Sequence, residues 1–426
     1  MSNVTLKEVS ELITKGTTPS SVGCEFVSEG INFIKSESIS DSKYLNNVIF
    51  EHIDEETDRK LKRSRINEGD LLFSIAGAYL GKIAIAKASD VPANTNQAVG
   101  IVRLKKDKVN VDYVYYYFSQ NNINAYINKL SSQSSQPNLN LDLLGKLEFE
   151  LKSIKDQQKI ASVLSSLDSK IELNNRINAE LEAMAKTLYD YWFVQFDFPD
   201  KNGKPYKTSG GKMVWNEELK REVPEGWEVK LLDKEIEIQR GISYTSKEIN
   251  GDGIPMISLN SFNLDGTYKS EGIKTYSGKF AQKNILKSGD LLIAATDVTR
   301  NADIIGRAIL VPDYYKEDLV FSMDIAKIIS KNIPSSFLMM LFNSNHYHNY
   351  IKWYASGTIV LHLNLDGVNR YIIEMPPLNL LKMFDEVYSP IANRVYNTAK
   401  ENQKLTELRD WLLPMLMNGQ VKVSEL

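Results

Sequence analysis

The second half of this chain repeats the first. Gly69-Asp70-Leu71-Leu72 returns as Gly289-Asp290-Leu291-Leu292, 220 positions on. Leu139-Asn140-Leu141-Asp142 returns as Leu363-Asn364-Leu365-Asp366, 224 positions on. Val4, Leu6, Ile13 and Gly16 return as Val229, Leu231, Ile238 and Gly241, 225 positions on. A near-constant offset over about half of 426 residues marks an internal duplication. The period is far longer than the roughly 20–50 residues of a solenoid repeat. It predicts two homologous domains, each with its own tail, in a molecule that meets its target in two places.

Each half opens with short apolar runs bounded by Gly, Asn, Asp and Ser, which read as strands. Examples are 31–35 and 254–258, then 70–75 and 290–295, then 98–104 and 324–329. Aromatic-rich helical stretches follow, over 111–128 and 336–354. Each globular part is therefore mixed α and β.

The tails are different. From Ile154 to about Trp192 there is neither Pro nor Gly. Ile160, Leu167, Leu181 and Leu188 share one seven-residue register, with Asn174 in the remaining slot. Phe384, Ile391, Leu405 and Leu412 share the equivalent register, with Thr398 in its slot. The offset of 224 is a multiple of seven, so the duplication keeps heptad phase. Companion positions carry Val163, Ile171, Ile177, Met184 and Tyr191, then Val387, Val395, Leu408 and Met415. A heptad of this kind predicts a coiled coil. If the helices run antiparallel, Asn174 and Thr398 meet and fix the register; the alternative is that either faces solvent. Ser153 with Asp156 reads as a capping-box-like start, and Pro376-Pro377 precedes the second helix. At about 1.5 Å per residue a helix of about forty residues spans about 60 Å, enough to act as a ruler between two heads. The linker over 198–226 is rich in Gly, Lys, Asn and Pro and reads as loop rather than core.

Composition narrows the function. The chain is 25% charged and 42% hydrophobic, as a soluble globular protein is. No apolar run is long enough to span a membrane, and the N-terminus lacks an apolar signal core. The one cysteine, Cys24, excludes an intrachain disulfide and a cysteine zinc site, and a reducing cytoplasm is the simplest setting. The net charge of −3 argues against a chain coated by nucleic acid, but not against a local basic face.

Catalytic motifs are missing. Gly77 to Ile83 has the wrong spacing for a phosphate loop and lacks the hydroxyl that binds magnesium. His346 and His348 stand two apart, unsuited to a shared metal on a helix, and read as surface histidines. The dyads Glu150/Lys152 and Glu218/Lys220 are three-residue matches of the kind chance supplies. Binding chemistry remains. Polar and basic residues cluster at turns: Lys35, Ser36, Ser74, Lys82, Asn94, Asn96 and Gln97, with Gln133 and Gln136 in the run 131–136. The second half has Arg240, Ser258, Asn260, Thr296, Arg300 and Arg307. Arg suits guanine, Asn and Gln suit adenine, and Lys and Ser suit phosphate. Any one of these residues could equally belong to an ordinary solvated loop; the set persuades more because it recurs in the duplicate.

The ordered, doubled motifs resemble the specificity subunits of type I restriction–modification systems over the whole chain. The motifs include 30–35 and 253–258, the Gly-Asp-Leu-Leu pair, and Gln136-Pro137-Asn138-Leu139-Asn140. Others are the aromatic run 189–198, Pro224-Glu225-Gly226-Trp227 and the segment 412–419. The resemblance implies an α+β fold: two homologous mixed α/β target-recognition domains separated by two long antiparallel helices forming a coiled coil. The expected ranges are 1–153 and 227–377 for the domains, 154–197 and 378–426 for the helices, and 198–226 for the linker. It implies a non-catalytic subunit that reads a bipartite, asymmetric DNA site, within a restriction endonuclease and adenine-specific DNA methyltransferase complex. The partners would be double-stranded DNA, two methyltransferase subunits and motor–nuclease subunits. S-adenosylmethionine, ATP and magnesium would sit on those partners and not on this chain. Tyr191, Trp192 and Phe193 are expected docking points; alternatively they cap the coiled coil by packing on a recognition domain. The rival reading is a coiled-coil scaffold whose β-rich heads bind protein or glycan.

Overall fold

The computed structural model describes residues 2–40, 42–131, 138–264, 266–313, 315 and 318–423. The chain divides into two compact units: Met1–Leu173 with Glu401–Leu426, and Asn174–Lys400. Each unit holds one head and a stretch of each long helix.

In the first head, strand Ser10–Lys15 pairs with Val99–Leu104, which pairs with Leu71–Ser74, which pairs with Ile83–Ile85, all antiparallel. A second sheet centres on Ile31–Ile34, with Glu51–Ile53 antiparallel on one side and Ala93–Thr95 parallel on the other. Ser2–Thr5 pairs with Glu148–Leu151 and brings the two ends of the head together.

The second head repeats this ladder by ladder. Ile236–Arg240, Ile325–Ser330, Leu291–Ala294 and Ala308–Leu310 form the four-stranded sheet. Ile249–Ile257 is flanked by antiparallel Lys274–Tyr276 and parallel Val320–Phe321. Glu228–Leu231 closes on Ile372–Met375.

The repeated Gly-Asp-Leu-Leu motif has a physical cause. Successive strand side chains point to opposite faces. Leu71 and Phe73 enter a core with Val102, Tyr113, Phe118 and Phe149, while Leu72 enters another with Ile34, Val99 and Ile101. In the second head Leu291 and Ile293 join Ile328 and Phe337, while Leu292 joins Ile257, Ile309 and Phe321. The strand serves two cores, so its apolar run is continuous rather than alternating. Gly69 and Gly289 take φ of +83° and +80° at the preceding turn. Asp70 and Asp290 accept from the backbone N–H of Asn67 and Lys287, each at 2.7 Å.

Gly16 and Gly241 match for a steric reason. A Cβ on Gly16 would lie 1.8 Å from the Thr95 carbonyl oxygen, and one on Gly241 would lie 2.2 Å from that of Ser322. The Leu-Asn-Leu-Asp motif is a hinge of backbone pairing: Leu139 N–H donates to Ile75 O, and Leu363 N–H to Ala295 O, each at 2.9 Å.

Two expectations need correction. The helical stretches are each split, into Val111–Phe118 and Asn121–Ser131, and into Ser335–Asn343 and Asn345–Ile351. At the second split Ser344 takes an extended conformation and caps the next helix, accepting from Tyr347 N–H at 3.2 Å. The 198–226 segment is also more than loop. It carries the hairpin Met213–Asn216 with Arg221–Pro224. Phe198 stacks on Tyr206 at 4.6 Å and on Trp227 at 5.4 Å, and Phe198, Val223 and Trp227 are buried. Aromatic packing, invisible to a count of Gly and Pro, makes this stretch part of a core.

The long helices are Ile154–Tyr189, extended by a π-helical turn over Asp190–Val194, and Leu378–Met417. Ser153 Oγ accepts from Asp156 N–H at 3.2 Å, as the start signal predicts. The helices run antiparallel. In the first unit Arg409 meets Asp168 and Lys170 meets Glu401; in the second Asn178 donates to Val395 O at 3.3 Å. One index falls as the other rises.

Candidate functional site

The heptad seam is buried at Ile160, Asn174, Phe384 and Thr398 and half-buried at its leucines and Ile391, but its second stripe lies elsewhere than expected. Leu164, Ala185 and Trp192 turn inward in the first helix, as Leu381, Tyr388 and Leu416 do in the second. The companions Met184, Tyr191, Val387 and Leu408 face out. Asn174 and Thr398 are both buried at their seam positions. Thr398 Oγ1 donates to Arg394 O of its own helix at 2.7 Å, and Asn178 makes the cross-helix bond.

The outward companions form an apolar strip. In the second unit Ala183, Met184, Thr187, Leu188, Tyr191, Val387 and Ile391 line a groove of about 500 Å³. Met184 is 61% and Val387 45% exposed. The 224-residue offset carries Met184 to Leu408, Thr187 to Trp411 and Val387 to Val163, all in the first unit. There Leu408 is 42% and Trp411 57% exposed. An apolar strip therefore lies on the helices of each unit, narrower in the first, where Val163 is half-buried against the core and Glu407 takes the place of Ala183. The signal was in the sequence: a two-helix seam needs two apolar positions per heptad, and these helices carry a third. Of the expected docking aromatics, Tyr191 lies on the strip. Trp192 and Phe193 are buried against Phe384, with ring centroids 5.9 and 5.1 Å away, and Phe193 also meets Phe337 of the head at 4.8 Å. This is the capping arrangement.

In the first head the turn residues separate by burial. Ser36, Ser74 and Asn94 are buried. Ser36 Oγ donates to Glu37 at 3.1 Å, and Asn94 Nδ2 donates to Leu61 O at 3.1 Å. Ser74 ends a strand whose N–H pairs with Lys82 O at 2.8 Å, so its hydroxyl stays inside. Asn96 folds back to accept from Ala98 N–H at 3.0 Å. Lys35 pairs with Glu51 at 2.6 Å over the Phe26 ring. Lys82 lies over Tyr79, and Gln97 is exposed, accepting from Thr18 Oγ1 at 2.5 Å. Gln133 and Gln136 lie outside the described residues.

In the second head Ser258 and Thr296 are buried, against the surface role expected of them. Arg307 is half-buried, donating to Asp303 O at 2.9 Å and Asn343 O at 3.2 Å, and so acts as a strut. Arg240, Asn260 and Arg300 are exposed. Arg300 sits on a loop fixed from beneath. The buried Asp297 carboxylate accepts from the N–H groups of Thr299, Ile304 and Ile305 at 2.6, 2.8 and 3.0 Å. Thr299 Oγ1 accepts from Asp303 N–H at 2.8 Å.

Two buried polar features escaped the sequence reading. In the first unit a cleft of about 370 Å³ includes Lys82, Tyr116, Asp168 and Arg409 in its lining. Tyr116 donates to Asp168 at 2.5 Å, and burial followed by the Asp168 charge pushes its phenol pKa up. Lys43, buried beside it, reaches Ser165 and Asp112, each at 2.8 Å. In the second unit His348 is buried, correcting its reading as a surface residue. Burial, then the Arg307 and Lys352 charges, push its pKa down to about 4. Among the described residues no cluster of His, Cys, Asp or Glu could hold a metal ion, and no helix is long and apolar enough to cross a membrane.

Residues 1–183 match the family described as type I restriction modification DNA specificity domain. The MjaIX specificity subunit of a type I restriction enzyme from Methanocaldococcus jannaschii is 29% identical, over 99% of this chain and 93% of that protein. The chain is thus similar to type I restriction enzyme specificity subunits over nearly its whole length, and its first 183 residues match their DNA specificity domain. The HindI specificity subunit from Haemophilus influenzae is 22% identical over 84% of this chain and 88% of its own. A crystal structure of the type I restriction–modification S subunit from M. genitalium shares the fold, with a TM-score of 0.58 at 13% identity, covering 100% of this chain and 96% of that one.

Proposed function

We propose that this specificity subunit reads a bipartite, asymmetric DNA site, one head per half-site, and docks two methyltransferase subunits on its helices. The observation that carries the reading is a contrast between the heads. They share every ladder described above, yet their exposed loops differ. Gln97 is exposed and Lys35 half-exposed on one, and Arg240, Asn260 and Arg300 stand at the surface of the other. One scaffold with two side-chain sets suits two different half-sites, because base edges are read by side chains while the fold sets their position.

The two apolar strips support the docking. Exposed apolar residues in a contiguous row mark a protein contact, and two strips at duplicated positions fit two copies of one partner. In this reading the chain acts by binding alone, in the cytoplasm. S-adenosylmethionine, ATP and magnesium belong to the methyltransferase and motor–nuclease partners.

The test is nuclease footprinting of the subunit together with a cognate methyltransferase subunit. The expected result is protection of one split sequence, with affinity falling steeply as salt rises. Protection that ignores sequence would favour the scaffold reading.

A further inference from the structure

The second head carries an exposed apolar tip. Strands Thr296–Asp297, Leu361–Leu363 and Ala355–Ser356 form a small three-stranded sheet. The turn between the last two is tight: Gly357 takes φ +139°, and a Cβ there would lie 2.0 Å from the Val360 carbonyl oxygen. Ile359, on that turn, is 86% exposed, and Trp353, just before the hairpin, is 88% exposed. Val298, also exposed, follows the neighbouring strand and leads to Arg300 on the loop that Asp297 fixes.

The pairing of Asp297 with Leu361 brings Val298 next to this turn, and apolar side chains exposed together mark a contact surface. Its surroundings select the partner's charge. From 355 to 363 there is no acidic residue, Arg300 is exposed, and the acid at 297 is turned inward onto backbone N–H groups. The tip therefore presents apolar carbon beside positive charge. The duplex major groove matches it: it admits a β-ribbon, is lined by phosphate, and carries one apolar group on its floor, the thymine C5-methyl. The first head has Ser131-Ser132-Gln133-Ser134-Ser135-Gln136 at the equivalent place in sequence, which suits hydrogen bonding instead.

We propose that the 355–363 hairpin is the major-groove reader of the second head, with Ile359 contacting thymine methyls and Arg300 anchoring the adjacent backbone. This rests on the reading that the heads bind DNA. It adds that the second half-site contains thymine at the contacted position, where the duplicated sequence carries apolar residues in place of the first half's Ser and Gln.

The test uses the full chain with its methyltransferase and duplexes selected from a randomised pool. Deoxyuridine then replaces thymine in each half-site. The expected result is an affinity loss on the order of 4-fold per methyl in the second half-site. Ile359→Ser should lose a similar factor and become blind to deoxyuridine, with its melting temperature unchanged because the side chain is exposed. Arg300→Ala should weaken binding and flatten the salt dependence. Undiminished wild-type binding to the deoxyuridine duplex overturns the methyl contact, even if Ile359→Ser binds poorly. Unchanged binding by Ile359→Ser overturns the role of the tip. If the wild type selects no sequence at all, the DNA reading itself has failed, an outcome distinct from both.

Discussion

The Arg409 guanidinium donates to Asp168 Oδ1 at 3.0 Å, joining residues 241 positions apart in the chain. Asp168 takes the Tyr116 hydroxyl on its other oxygen, so one carboxylate ties the head to both helices of the first unit. Removing one partner of a largely buried, hydrogen-bonded charge costs more than the pair contributes, because the other is left unmatched. Arg409→Met should destabilise by about 1–3 kcal/mol in urea denaturation, the range allowing for the partial exposure of Arg409. The double change Arg409→Met with Asp168→Leu should recover part of that loss. A double variant no more stable than Arg409→Met would count against the pair.

His348 sets a pH dependence. Its folded pKa, about 4, lies below the ordinary histidine value of about 6.5. Between these values the unfolded chain binds a proton that the folded chain excludes. Its contribution is therefore intact above about pH 6.5 and lost as pH falls toward 4. At pH 5 the wild type should have lost roughly 2 kcal/mol relative to pH 7.5 through this residue. His348→Gln should show a flatter stability profile over that range. Equal slopes in the two proteins would exclude the histidine as the cause.

The apolar strips predict stoichiometry. Met184→Glu with Val387→Glu alters the second unit's strip, and Leu408→Glu with Trp411→Glu the first's. These side chains are exposed, so unfolding free energies should shift by only about 0.5 kcal/mol per site. Light scattering on the purified complex should fall from two bound methyltransferase subunits to one with either pair, and to none with both. Two bound subunits in the fourfold variant would remove the strips from the interface.

Asp297 should be required for the shape of the second head's loop. Asp297→Ala leaves the buried N–H groups of Ile304 and Ile305 and the half-buried one of Thr299 without their acceptor, an expected cost of about 2–4 kcal/mol. Hydrogen exchange at Thr299, Ile304 and Ile305 should accelerate while that of strand Ile325–Ser330 changes less. Uniform acceleration throughout the unit would mean global rather than local loss.

Much of the fold was legible as repeated steric necessity. Gly16 and Gly241 recur because a neighbouring carbonyl leaves no room for a Cβ. Leu71-Leu72 and Leu291-Leu292 recur because one strand feeds two cores. The candidate sites were less legible. Ser74 and Thr296 sit at strand ends in sequence, and only the closing of neighbouring strands over them makes them interior. Trp192 and Phe193 are as apolar as Tyr191, yet the turn of the helix puts them inward and Tyr191 out.

The sequence by itself determined that two copies of one head exist, each followed by a helix in matched heptad phase. Periodicity and offset are properties of the chain, and packing need not be known to read them. Tertiary structure alone decided which polar residues reach solvent, which heptad companions face outward, and that His348 and Asp168 are enclosed. Burial depends on what other segments lay over a residue, and those segments are distant in the chain: 241 positions separate Asp168 from Arg409.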